Sequence, residues 1–346
     1  MQRNRVVRGA GDYHSIGGSN ALFPHLKKAI VLLAFVTSAS QAAVVGEVIA
    51  AHNMFPGTYV VMSASNGGQF ATVNCGLDLT HGGSPRYFLQ ALNTPILLPD
   101  LYYGNELVAA DEDCTQSVMI SDEPAMRFSS TPHWSPDGNQ IAVYAERWDT
   151  GNPPPERGIY LADVTHDGMG RPIGAANFRL VIPSAGEILI SWSGDGQRIA
   201  YVGSAPSSTG GSQADIFVYD LASGTSVNVT NTPGTNEDHP AYSPISDRIA
   251  FIRLVDVRGA YLYDIFTVPA WGGAETRVTT KKTTGSPTNY FPCFSPDGQY
   301  LSFASGSWVA PIKDFDIYRI KANGSGKATN LTSKRSGSFL YHVWRR

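Results

Sequence analysis

Four histidines stand just ahead of, or on, short apolar segments spread along the chain: His81, His133, His239 and His342. Imidazoles brought together from separate segments could hold a divalent metal. Their offsets from the neighbouring aromatic residue differ, whereas a metal site with repeat symmetry would want even placement, so a structural or solvated role stands beside the metal role. Glu237 and Asp238 adjoin His239 and add two carboxylates to the same place. A second set, Arg147, Trp148, Arg258 and Trp308, falls in connections of varied length, where Trp and Arg serve as anchors for a partner. The same tryptophans could instead fold back onto neighbouring segments. Asp163, His166 and Asp167 share a Gly-rich hairpin that reads as a surface turn before it reads as a cation site. The Gly-x-Ser-x-Gly elbow, the Gly-x-x-x-x-Gly-Lys phosphate loop and His-Glu-x-x-His are all missing from the sequence. The balance leans against catalysis and towards binding.

The elements that must position these residues are repeats. Trp134 to Val143, Trp192 to Tyr201, Tyr242 to Phe251 and Phe294 to Phe303 share one pattern: an aromatic, then Ser-Pro-Asp-Gly or a variant, then Ile-Ala or its like. The aromatic ends one strand and Ile-Ala opens the next. Between them Pro presets φ and Gly accepts positive φ, as a tight turn requires. Each copy is followed by a second apolar segment (Ile159, Ile216, Ile265, Ile317). Asp215, Asp264 and Asp316 precede the last three, and Gly158 stands in that place in the first. These acids are expected to bind local backbone at strand entries. Third segments begin at Phe178, Val227, Thr276 and Thr329. Each unit is therefore about four short strands, the makeup of a propeller blade.

The chain ends complete the count. Tyr341 to Trp344 resembles a first strand with no blade behind it. Tyr59 to Met62, Phe70 to Val73 and Leu77 to Thr80 resemble strands two, three and four with no first strand. A further unit starts at Pro85 and Tyr87, with Ile96 to Leu98 as its poorly marked second strand. The key aromatics, Tyr87, Trp134, Trp192, Tyr242, Phe294 and Trp344, recur at roughly fifty-residue intervals. The expectation is an all-β, six-bladed propeller of four-stranded antiparallel blades, closed by pairing of the C-terminal strand with the N-terminal blade. Closure removes exposed sheet edges.

The aromatic-Ser-Pro-Asp-Gly repeat, with Asp-Ile-Tyr and Leu-Thr after it, resembles the WD-type repeat of TolB-like β-propellers over about residues 57–346. The resemblance is specific for fold and weak for function. It implies an exported propeller that binds partners. The TolB protein itself carries an N-terminal α/β domain that this sequence has no room for, so its partners do not transfer. Related propellers with channel histidines act as metal-dependent oligogalacturonate lyases, which keeps a metal-dependent carbohydrate-active enzyme, or a glycan-binding propeller, as the alternative. By the same resemblance, connections before the first strand and between strands two and three share one face, and the hairpin at Trp271 lies on the other.

Composition agrees with export. Lys27 and Lys28 precede an apolar run from Ala29 to Ala39, too short to span a bilayer with ease, and Ser40, Gln41 and Ala42 suit a signal-peptidase site. Residues 1–42 are read as a signal peptide, 43–56 as a linker and 57–346 as the propeller, in the periplasm or secreted. The formal net charge is −3, and the leader carries five basic residues against Asp12 alone, so the body is more acidic still and unsuited to nucleic acid. Of the three cysteines, Cys75 and Cys114 are the plausible disulfide, and Cys293 reads as a buried thiol. A monomer binding a protein or peptide partner of the envelope is expected, with no transmembrane segment in the mature chain. No cofactor is expected beyond a divalent cation in the channel, should the histidines converge.

Overall fold

A computed structural model describes residues 47–345, apart from 53–57, 64–68, 75–86, 93–102, 105, 112–116, 130–131, 149–154, 184–188, 209, 257–261, 308–312 and 334–336; for some strand residues only the backbone is described. Among the described residues the chain is all-β, with one short helical turn at Lys281–Thr284. Among the described residues the strands form six antiparallel sheets. In the fourth, Ile190–Trp192, Arg198–Pro206, Ser212–Asp220 and Thr225–Asn228 lie side by side in chain order. The fifth repeats this with Glu237–Tyr242, Arg248–Asp256, Leu262–Pro269 and Thr276–Arg277, and the sixth with Thr288–Phe294, Tyr300–Ser307, Lys313–Lys321 and Thr329–Asn330. No described helix is long and apolar enough to cross a membrane.

Burial alternates between two neighbours rather than between core and water. On strand Arg198–Pro206, Ile199 and Tyr201 pack with Ile159, Leu161 and Trp192, while Ala200 and Val202 pack with Tyr242, Ile249 and Phe251 of the next sheet. On Arg248–Asp256, Phe251 faces back and Ile252 faces forward to Phe294, Leu301 and Phe303. A sheet covered on both faces needs apolar residues at both parities, so these strands read as nearly continuous apolar runs. Shared cores of this kind link the sheets in succession from the second, through Leu107 with Ile141 and Val143, to the first, through Ile317 with Phe339 and Trp344. The predicted aromatics Trp134, Trp192, Tyr242, Phe294 and Trp344 are all buried. Two of them are pinned across sheets: the Trp192 indole N–H donates to the His133 carbonyl (3.4 Å) and that of Trp344 to the Cys293 carbonyl (3.2 Å).

The repeat turn is held by its own side chains. Ser135 Oγ donates to Asp137 Oδ1 (2.6 Å) and accepts from the Gln140 N–H (2.9 Å), with Gly138 at φ 75°. Ser193 with Asp195, and Ser295 with Asp297, reproduce it. Turns of adjacent sheets stack, which explains one departure from the motif. A Cβ on Gly194, in the place of Pro, would lie 1.8 Å from the Pro244 carbonyl oxygen.

The strand-entry acids bind side chains rather than the expected local backbone. Asp316 accepts from Asn330 (2.8 Å) and Thr332 (2.5 Å), and the Thr332 hydroxyl accepts from the Ile317 N–H (3.0 Å). Asp264 accepts from Thr279 and Arg277, and Asp215 from Asn228 (2.7 Å) and Gln213 (2.8 Å). Each acid clasps strand three to strand four. In the third sheet Gly158 replaces it because a Cβ there would meet the Ile182 carbonyl oxygen at 2.1 Å, at φ 152°.

Several boundaries differ from the sequence reading. Phe339–Arg345 pairs with Glu47–His52, followed by Thr58–Ser63 and Gln69–Asn74. The first partner of the C-terminal strand thus lies inside the segment read as linker, and the strands at Tyr59 and Phe70 are the third and fourth rather than the second and third. In the second sheet Tyr87–Leu92 pairs directly with Glu106–Asp111, then Ser117–Asp122, giving three described strands. In the third, the inner strand is split into Met126–Ser129 and His133–Trp134, both on Gln140–Arg147, and Tyr103–Gly104 adds to its inner edge. The leader, Ile96 to Leu98, Leu77 to Thr80, Cys75 and Cys114 lie outside the described residues. Cys293 is half-buried rather than buried, its sulfur 3.8 Å from the Phe294 carbonyl oxygen.

Candidate binding face

Beside the connections expected to carry binding residues, the ladders continue past the apolar runs. Ser204 still pairs with Ala214 and Pro206 with Ser212. Glu146 and Arg147 lie on strand Gln140–Arg147, opposite Arg157 and Glu156, and Glu146 pairs with Arg157 at 3.1 Å. Trp148 leaves the end of that strand with its backbone N–H bonded to the Ala125 carbonyl (2.8 Å) and its side chain 55% exposed. A large aromatic is thereby presented to solvent from a fixed backbone. Arg258 and Trp308 lie outside the described residues.

The inner strand of the fifth sheet gathers Glu237, Asp238 and His239, and separates their roles. Glu237 is fully buried, at 0% exposure, and accepts from Arg253 (2.8 Å). Arg253 also forks onto Glu275 (2.6 and 2.7 Å), donates to the Thr232 hydroxyl (2.8 Å) and lies over the Phe266 ring at 4.6 Å. Burial pushes the Glu237 carboxyl above its ordinary value, and the Thr230 hydroxyl and Arg253 oppose this only in part. This acid anchors the strand inside the molecule instead of facing a partner. Asp238 is partly exposed and accepts from the His239 N–H (2.6 Å). Burial alone would raise its carboxyl, but the His239 ring and backbone N–H outweigh that and hold it below the usual carboxylate range.

His239 and Phe291 occupy equivalent places in consecutive sheets. Each precedes a proline (Pro240, Pro292), each sits at a register shift in its inner strand, and each has positive φ, 53° and 54°. Positive φ is costly for residues with a side chain. Here the bulges turn the two rings towards each other, edge-on at 4.5 Å, with Tyr290 beside them at 6.5 Å from the histidine.

The other histidines go elsewhere. His342 is buried and its Nε2 lies 2.8 Å from Ser302 Oγ, in the interface with the sixth sheet. His133 pairs opposite Ala142 in the third sheet, and His81 lies outside the described residues. Among the described residues no three His, Cys, Asp or Glu side chains group closely enough to hold a metal ion. Asp163 and Asp167 are spent on a surface hairpin, Asp163 on Gln140, Asn177 and Arg179, and Asp167 on Arg171 and the Met169 N–H. Trp271 is 56% exposed beneath the Arg198 guanidinium.

Arg253, Phe291 and Tyr290 were not singled out from sequence. One signal pointed to Arg253: it shares the parity of Ile249 and Phe251, and an arginine at an inward position demands a buried acid.

No family model matches the chain. Among solved structures it is similar to TolB from Acinetobacter baumannii, with a TM-score of 0.57 and 15% identity over 88% of this chain and 67% of that one. It also aligns with oligogalacturonate lyase from Vibrio parahaemolyticus (TM-score 0.47, 10% identity, 82% of this chain and 78% of that one). A putative dipeptidyl aminopeptidase IV from Bacteroides ovatus aligns at 0.40 and 9%, over 83% of this chain and about half of that one, 52%. The fold is that of a TolB-like β-propeller.

Proposed function

Proceeding from that fold, we propose that the chain is a non-catalytic binding scaffold of the cell envelope, exported to the periplasm or secreted. Its six sheets are six blades, and the pairing of Phe339–Arg345 with Glu47–His52 is the seam that closes the ring. The partner is a protein or peptide that docks on the face bearing Trp148, beside Arg147 at the end of the same strand. The observation that carries this reading is Trp148 itself, more than half exposed on a backbone tied to Ala125. Rigid exposed aromatics contribute large contact area at little entropic cost.

The test is a pull-down from envelope extract with the parent chain and Trp148→Ala. A partner retained by the parent and lost by the variant, at unchanged melting temperature, supports the proposal. Recovery of nothing, or of the same partner by both, overturns it. A second reading, a glycan-binding or metal-dependent carbohydrate-active propeller, draws on the His239, Phe291 and Tyr290 rings at the inner strands. Turnover of a glycan substrate panel, or a melting shift with a glycan that His239→Ala removes, would favour it over the first.

A further inference from the structure

The repeat allows one inter-sheet contact to be compared with its own copy. Arg198 opens the second strand of the fourth sheet and is surrounded by carboxylates: Asp247 of the next turn at 3.1 Å, Asp220 at 3.6 Å and Asp195 at 3.7 Å. Trp271 lies on its guanidinium at 4.2 Å and closes the contact. Arg248 holds the same place in the fifth sheet, and every one of those partners is gone. Asp195 becomes Ile245, Asp220 becomes Pro269, Asp247 becomes Gln299 and Trp271 becomes Asn323. The strand position that Asp220 fills opposite Arg198 is taken in the sixth sheet, opposite Tyr300, by a second cation, Lys321.

A half-open cleft of about 530 Å3 stands where the clamp would have been, between the fifth and sixth sheets on the face of the repeat turns. Arg248, Lys321, Gln299, Asn323, Thr276 and Tyr300 line it, and its lining includes no acid. Among the described residues the Arg248 side chain bonds only the Thr267 hydroxyl (2.7 Å), and no carboxylate lies within ion-pair distance of Lys321. The nearby acids are committed: Asp297 to Ser295 (2.5 Å) and the Gln299 N–H (3.0 Å), and Asp247 to Arg198 and Tyr242.

We propose that this cleft binds a small hydroxylated organic anion, a sugar-sized molecule bearing a carboxylate or phosphate, whose charge takes the place of the lost aspartates. The guanidinium and ammonium receive the anionic group. Gln299, Asn323 and Thr276 meet hydroxyls, and the volume is in the range of small-molecule sites.

Calorimetric titration of the full chain at low salt with glucuronate, glucose 6-phosphate, inorganic phosphate and glucose tests it, and the first two arms separate carboxylate from phosphate. At least one anionic sugar should bind and glucose should not. Lys321 is exposed, so Lys321→Glu should fold normally and weaken binding by about tenfold or more. Gln299→Asp restores a clamp acid beside Arg248, and should abolish binding while leaving melting unchanged or higher. No heat with either anionic sugar, binding of inorganic phosphate alone, binding of glucose as tight as that of the anions, or equal affinity in both variants overturns the proposal.

Discussion

Replacing Trp344 by Ala asks whether the C-terminal strand is part of one cooperative ring. The indole is 7% exposed, packs with Phe315, Ile317, Leu331 and Phe339, and donates to the Cys293 carbonyl. Truncating a tryptophan so buried costs about 3–5 kcal/mol, the orphaned carbonyl included. For the roughly 230 described residues the unfolding entropy corresponds to about 0.5 kcal/mol per degree, so the melting temperature should fall by about 6–10 °C. Trp344→Phe keeps most of the apolar surface and loses mainly the hydrogen bond, so about 1 kcal/mol and about 2 °C should separate it from the parent. Trp192→Ala is the reference, since that ring is equally buried and equally pinned, but in the middle of the chain. Differential scanning calorimetry reads all three. The reasoning fails if Trp344→Ala melts within about 1 °C of the parent while Trp192→Ala falls as expected, because the last strand would then fray outside the main transition.

Three further outcomes follow from the same contacts. Thr332→Val leaves Asp316 and the Ile317 N–H without their shared hydroxyl and should lower the unfolding free energy by about 2–3 kcal/mol in urea, whereas Thr332→Ser should cost under about 1 kcal/mol. Gly194→Ala forces the stacked turns apart at the Pro244 carbonyl and should destabilise by about 1–3 kcal/mol; an unchanged melting curve would show that those turns do not touch. The Ser193 hydroxyl, then the Gln197 N–H and Arg198, hold the Asp195 carboxyl below its ordinary 3.8 against a partial burial that would raise it. A depressed folded value means stability that is present above 3.8 and lost as pH falls through the folded value, so the parent should weaken across that range and Asp195→Asn should stay flatter in acid unfolding curves.

The turns were legible because their code is local. Ser, Asp and Gly at fixed offsets make their own hydrogen bonds, whatever the sheets around them do. The seam was misread by one strand for the converse reason. In the third to sixth sheets the turn joins strands one and two and marks where the second begins. Where Phe339–Arg345 pairs with Glu47–His52 the two strands come from distant parts of the chain, so no Ser-Pro-Asp-Gly motif precedes Glu47–His52 in the sequence and only Val48, Ile49 and Ala50 announce it. The extent of the strands beside Trp148 and its counterparts was not legible, because they continue through polar residues, such as Ser204 and Gln213, where no apolar run marks them.

Departures from the repeat divide into two kinds, and the physical distinction bears on where function lies. Gly194 and Gly158 depart because a neighbouring backbone carbonyl occupies the space of a side chain, so both serve close packing, Gly194 between sheets and Gly158 within one. His239 and Phe291 depart differently: two residues with side chains accept positive φ, and their rings meet edge-on. Arg248 departs by keeping a cation while each acid around it is exchanged for a neutral residue, which leaves a positive charge that no described contact of the fold answers. Substitutions of the first kind relieve a clash with neighbouring backbone. Those of the second kind add strain or uncompensated charge that the rest of the fold must offset, and such costs cluster where a chain binds or acts.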